Sequence, residues 1–116
     1  MRYLKGNSAV IVIDIAFETQ KVKKLLTNYA LLERKHGRDI TLAIKKRIDS
    51  FNAAVGYNDI IGLKIGNPHS LRGDLKGYSA LNVTANVRLV YMVKGDTIYV
   101  KGVCDYHEGK INWIIV

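Results

Sequence analysis

The stretch "VRLVYMVKGDTIYVKGVCDYH", Val87–His107, decides the fold. Two runs rich in β-branched and aromatic residues flank Gly95-Asp96, and a Gly-Asp pair in that setting marks a tight β-hairpin. With Gly95 and Asp96 as a two-residue loop, Lys94 faces Thr97, and counting outward brings Arg88 opposite Val103. The second strand ends on Asp105, Tyr106 and His107, three consecutive side chains that can each hold or move a proton. By alternation Asp105 and His107 share one face and Tyr106 takes the other, while the twist of a strand at its end lets all three approach one pocket.

Working outward, "YSALNVT" (Tyr78–Thr84) and a turn at Ala85-Asn86 add a strand before the hairpin, making a three-strand β-meander. The tail "EGKINWIIV" either lines the edge of a site or completes the sheet, with "INWIIV" as a short edge strand or an apolar plug. Near the other end, "AVIVIDIAF" (Ala9–Phe17) puts Ile11, Ile13, Ile15 and Phe17 on one face, with Val10, Val12 and Ala16 on the other. Two apolar faces predict a strand inside a sheet. From Thr19 the period changes. Val22, Leu25, Leu26, Tyr29 and Leu32 follow helical spacing up to Gly37, and a second helix, N-capped by Asp39, carries Ile40, Ile44, Ile48, Phe51 and Val55 before Gly56. The short Gly37-Arg38 link makes these two an antiparallel helical hairpin. The class is α+β: N-terminal strand, two-helix hairpin, three-strand meander. Tyr57 to Gly77 shows no sustained period, and a loop of that length in a small domain is commonly functional.

A chain of 116 residues with 48% apolar composition fits one domain, 1–116. Its 18 basic against 10 acidic residues point to a polyanionic partner, nucleic acid first, because Lys and Arg displace the counterions of phosphates. Of the basic residues 11 precede Tyr57, against five acids, so the excess sits on the helical hairpin and the N-terminus. Cys104 is the lone cysteine, which excludes an internal disulfide and fits a reducing, cytoplasmic setting. The most apolar stretch is broken by Asp14 and falls far short of the roughly 20 residues that cross a bilayer, so no membrane segment is expected. Asp105 and His107, two residues apart with no further His or Cys cluster, are weak metal ligands; neither metal nor cofactor is expected.

An arginine, a carboxylate, a phenol and an imidazole brought together without metal suit RNA phosphodiester chemistry. A base takes the 2′-hydroxyl proton, an acid protonates the leaving 5′-oxygen, and a fixed cation holds the charge building on phosphorus. The loop "HSLRGDLKGY" adds His69, Arg72 and Lys76, with Gly73 and Gly77 allowing close backbone approach to a ligand. In a meander the start of the first strand lies far from His107, so His69 reaches that end only if the loop folds back across the sheet.

In order and spacing, "HSLRGDLKGYSALNVTANVRLVY" followed by "VCDYH" resembles the RelE/HigB superfamily of bacterial toxins, most closely the HigB branch, or killer proteins. The pattern is a His, a basic residue and Gly-Asp before a Gly-aromatic strand start, then Asn-x-Arg, then Asp-Tyr-His. The resemblance implies a RelE-like, microbial-ribonuclease-like fold and a ribosome-dependent endoribonuclease (mRNA interferase). It implies a HigA-type helix-turn-helix antitoxin that blocks the toxin and carries the pair onto operator DNA. It assigns catalysis to His69, Arg88, Asp105, Tyr106 and His107, and RNA phosphate contact to Arg72 and, less directly, Lys76. Two departures stand out: Val87 replaces the aromatic residue, usually Trp, that precedes the strand arginine, and the chain continues past Asp-Tyr-His. Two other readings remain open, a ParE-like toxin that inhibits DNA gyrase by binding it and a non-catalytic basic RNA-binding domain.

Overall fold

A computed structural model describes residues 2–3, 11–12, 14–53 and 69–116. The elements run β1 (Arg2–Tyr3), β2 (Ile11–Val12), β3 (Asp14–Phe17), α1 (Gln20–Leu26), α2 (Tyr29–His36), α3 (Arg38–Ala53), β4 (His69–Ser70), β5 (Ser79–Asn82), β6 (Val87–Lys94), β7 (Thr97–His107) and β8 (Lys110–Ile115). The architecture is α+β, helices against one face of a mixed sheet. Among the described residues no helix is long and apolar enough to cross a membrane.

The first expected helix is two. Thr19 caps α1 by accepting from the Val22 N–H at 3.2 Å, and the segment breaks at Thr27-Asn28, where Asn28 Oδ1 accepts from the Leu31 N–H at 3.1 Å and starts α2. Side chains that bond their own backbone make good caps and poor helix interiors, so the apolar period runs on while the helix stops. Asp39 lies in the first turn of α3 and is not its N-cap; there its charge meets the positive end of the helix dipole. Val55 and Gly56, expected to end that helix, lie outside the described residues, as does the part of the expected loop from Tyr57 to Pro68.

The main sheet has the order β3-β7-β6-β5-β4, with β8 also on β7. Since β6 runs along one edge of β7 from Lys94↔Thr97 to Val87↔Asp105, β3 and β8 share the other: β3 pairs parallel with Thr97–Val100, and β8 antiparallel with Val103–His107. The N-terminal strand is therefore not interior as expected. It ends the path among the described residues, and Asp14, Ile15, Ala16 and Phe17 are all half-buried. The separate antiparallel pair of β1 and β2 joins Arg2 to Val12 and Tyr3 to Ile11. The tail completes the sheet, and its Ile115 is fully buried.

The hairpin holds the decisive correction. Lys94 does face Thr97, but the register shifts between Val90 and Tyr91: Tyr91 pairs with Val100 and Val90 with Gly102, leaving Lys101 as a bulge, so Arg88 lies opposite Cys104 rather than Val103. Strand side chains alternate, so one extra residue exchanges the two faces of everything beyond it. The bulge keeps both Val100 and Val103 in the core with Leu89 and Tyr91. It also turns Cys104 and Tyr106 to Arg88's side and Asp105 and His107 to the other. The core lies on the helix side, where Phe51 of α3 meets Tyr91 edge-on, centroids 5.3 Å apart.

Candidate active site

The sheet face turned away from the helices carries a row of directly paired residues, Asn82, Arg88, Cys104 and Trp113, one from each of β5 to β8. In the next row Tyr106 pairs with Ile111, and the Arg88 guanidinium stands 4.9 Å from the centre of the Tyr106 ring. A cation over a phenol ring is held by the ring quadrupole, which fixes the arginine fork without using its donors. The Tyr106 N–H, in turn, bonds to the Asn86 carbonyl at 2.7 Å, which ties the end of β7 to the turn before β6.

Over this face folds the loop after β4. Leu71 N–H bonds to the Tyr78 carbonyl at 2.9 Å, Lys76 N–H to Gly73 at 3.0 Å and Tyr78 N–H to Leu75 at 2.9 Å, closing a compact turn around the 3-10 segment Gly73–Leu75. Gly73 and Gly77 have φ of +67° and +92°, and nothing crowds Gly73; these glycines supply the left-handed backbone of the turn. Ser70, Leu71, Arg72 and Leu75 of this loop, with Arg88, Tyr106, Gly109 and Ile111, enclose a pocket of about 480 Å³.

Three of the expected site residues thus share one pocket: Arg72, Arg88 and Tyr106. Asp105 and His107 face the other way, and His107, 62% exposed, lies 3.7 Å from Glu108 at the β7–β8 turn. His69 pairs with Ala80, three strands away from β7, and Lys76 is exposed outside the lining. Among the described residues no group of three His, Cys, Asp or Glu side chains stands where it could hold a metal. Beneath the site, burial pushes the Cys104 thiol pKa up, against the pull of Arg88 and with the push of Asp105.

Sequence reasoning missed Leu71, Leu75, Gly109 and Ile111 as walls, although Glu108-Gly109 between two strand-like runs was a readable hairpin signal. It also missed Asn82, whose buried Oδ1 has no hydrogen-bond partner among the described residues, directly across from Arg88.

This sheet with a helical layer on one face recurs in solved toxins. The chain has the fold of the RelE/ParE toxins. A YoeB–YefM complex from Staphylococcus aureus superposes with a TM-score of 0.55 at 22% identity, over 82% of this chain and 97% of that one. The YoeB/ParE toxin from Agrobacterium tumefaciens gives 0.53 at 21%, over 82% and 99%. YafQ from E. coli gives 0.55 at 18%, over 78% and 90%. No protein-family model and no curated protein matches the sequence. These RelE/ParE-like neighbours are YoeB, YafQ and ParE types, so the superfamily fold is shown, whereas the HigB branch rests on the sequence motifs.

Proposed function

We propose that this chain is the toxin of a type II toxin–antitoxin pair, a single domain over 1–116 that cuts translated messenger RNA in the cytoplasm without metal or cofactor. The observation that carries this reading is the convergence of Arg72, Arg88 and Tyr106 in one pocket of a RelE/ParE-like fold. In the reaction the ribose 2′-oxygen attacks the adjacent phosphorus, the bond to the 5′-oxygen breaks, and a cyclic phosphate is left. Arg88 and Arg72 hold the phosphate and the charge that grows on it, a contribution largest in the transition state. The 2′-hydroxyl must lose a proton and the 5′-oxygen must gain one. Tyr106 stands in the pocket with the arginines, and its O–H is assigned to protonate the leaving 5′-oxygen. The other transfer is assigned to His107, the last residue of β7, which must turn in from the opposite face when RNA binds, with Asp105 and His69 as the alternatives to it.

The partner in this reading is a helix-turn-helix antitoxin of HigA type, as the HigB-like motifs imply, which brings the pair to operator DNA. Solved neighbours in complexes, YoeB with YefM and DinJ with YafQ, support a protein partner. Lysines and arginines on α1, α2 and α3 supply a basic surface for ribosomal RNA, with Lys76 as a further phosphate contact.

Induced expression is expected to stop growth with translation falling before DNA synthesis, and messenger RNA to be cut only on translating ribosomes. Arg88→Ala and His107→Ala should abolish toxicity while folding and antitoxin binding persist. Efficient cutting of naked messenger RNA removes the ribosome requirement. Full toxicity of both variants, with DNA synthesis falling first, replaces this reading with the gyrase-binding one.

A further inference from the structure

A second pocket, of about 360 Å³, opens on the same sheet face, toward the Lys94–Thr97 end of the hairpin. It is lined by Glu18, Tyr78, Met92, Lys94 and Tyr99. The register puts Met92 opposite Tyr99 on the face that carries Arg88 four residues earlier, so the two pockets are separated along β6 by about 13 Å at the usual strand rise. Between them the bulged Lys101 lies 5.4 Å from the Tyr78 ring centre and 5.8 Å from that of Trp113, with its ammonium 3.8 Å from Glu18. Trp113 lies two residues along β8 from Ile111 of the first pocket, so Tyr78, Lys101 and Trp113 stand between the two pockets.

Each of these groups has a use for single-stranded RNA. Rings stack bases without regard to sequence, and lysines track the phosphates. Tyr99 is the accessible ring, 36% exposed, and Lys94 beside it is exposed. Glu18 is the odd member, since a carboxylate repels phosphate. Its oxygens offer about four acceptor sites, of which the Tyr78 phenol and Lys101 engage part, and a held carboxylate accepts from the amino group of a base.

We propose that the Glu18–Tyr78–Lys94–Tyr99 pocket is a nucleobase subsite that holds one base of the single-stranded RNA a few nucleotides from the cut phosphate and favours bases bearing an exocyclic amino group over uracil. Tyr99 stacks the base, Glu18 accepts from its amino group, and Lys94 contacts the neighbouring phosphate. The subsite rests on the ribonuclease reading for its substrate and deepens it by giving a source of sequence preference away from the reacting groups.

The test uses the intact chain in two assays: binding of fluorescent hexaribonucleotides that differ at one position, and mapping of cuts on translating ribosomes. Tyr99→Ala should weaken the hexamer by about 5- to 150-fold, the range for losing one stacked base. Lys94→Ala, at an exposed strand end, should weaken it and lower the salt dependence by about one phosphate contact. Glu18→Gln should erase the discrimination against uracil. If the wild type cuts on ribosomes while Tyr99→Ala leaves both affinity and cut positions unchanged, the subsite is wrong and the nuclease reading stands. If the wild type never cuts but Tyr99→Ala weakens the hexamer and Glu18→Gln levels the base preference, the subsite stands and the nuclease reading falls. Retention of the base preference in Glu18→Gln overturns the assigned reading of the amino group.

Discussion

In the proposed reaction Tyr106 and Arg88 are the pair on which the chemistry turns. The ring lies against the guanidinium and positions it, and the proposal gives the ring's hydroxyl a proton to move. Tyr106→Phe separates these roles, because it keeps the ring and deletes the hydroxyl. If the phenol moves a proton, ribosome-dependent cleavage should fall by about 10² or more while thermal stability stays near wild type. An unchanged rate would return both transfers to His107 and its alternatives. Cys104, beneath the same pair, is a chemical reporter of burial. Its raised thiol pKa keeps it protonated, so alkylation at neutral pH should be slow in the folded protein and fast in denaturant. The linkage has a definite sign. The stability that goes with the raised pKa is whole below the unfolded thiol value of about 8.5 and is lost as pH rises through the folded one.

At the scale of elements, the close approach of β8 to β7 depends on Gly102. A Cβ there would collide with the Ile115 carbonyl oxygen, a backbone atom that cannot rotate away. Gly102→Ala should therefore cost about 1–3 kcal/mol in denaturant unfolding, as overpacking does, with amide exchange rising first at the end of β8. The α1–α2 break invites a gentler test. Asn28→Ala removes the cap of α2 and should cost about 1 kcal/mol, with antitoxin binding intact. Much of this level was legible in advance: strand β7, the Gly95-Asp96 turn and the apolar stripe of α3 follow from period and turn chemistry. The helix break was written in Thr27-Asn28 as well, but the apolar stripe crosses it, and period alone does not see a cap.

For the whole molecule, the long strand β7 is the member that joins the layers, carrying β6 on one edge and β3 with β8 on the other. Ending the chain after His107 would remove the fully buried Ile115, together with Gly109 and Ile111 from the pocket wall. Loss of the isoleucine alone is worth about 2–5 kcal/mol, so the shortened chain should unfold at markedly lower denaturant and lose toxicity even with Arg88 and Tyr106 in place. A shortened chain as stable and toxic as the full one would show that β8 is dispensable. What the sequence determined by itself was local: which runs alternate, which follow helical period, where a Gly-Asp turn folds a hairpin, and that basic and proton-carrying residues collect at one strand end. Whether Asp105 and His107 or Tyr106 would face Arg88 was decided only by the tertiary structure. The choice turns on one bulged residue, Lys101, which no local preference marks; the bulge lets Val100 and Val103 both enter the core, and packing of that core sets the register for every side chain beyond it.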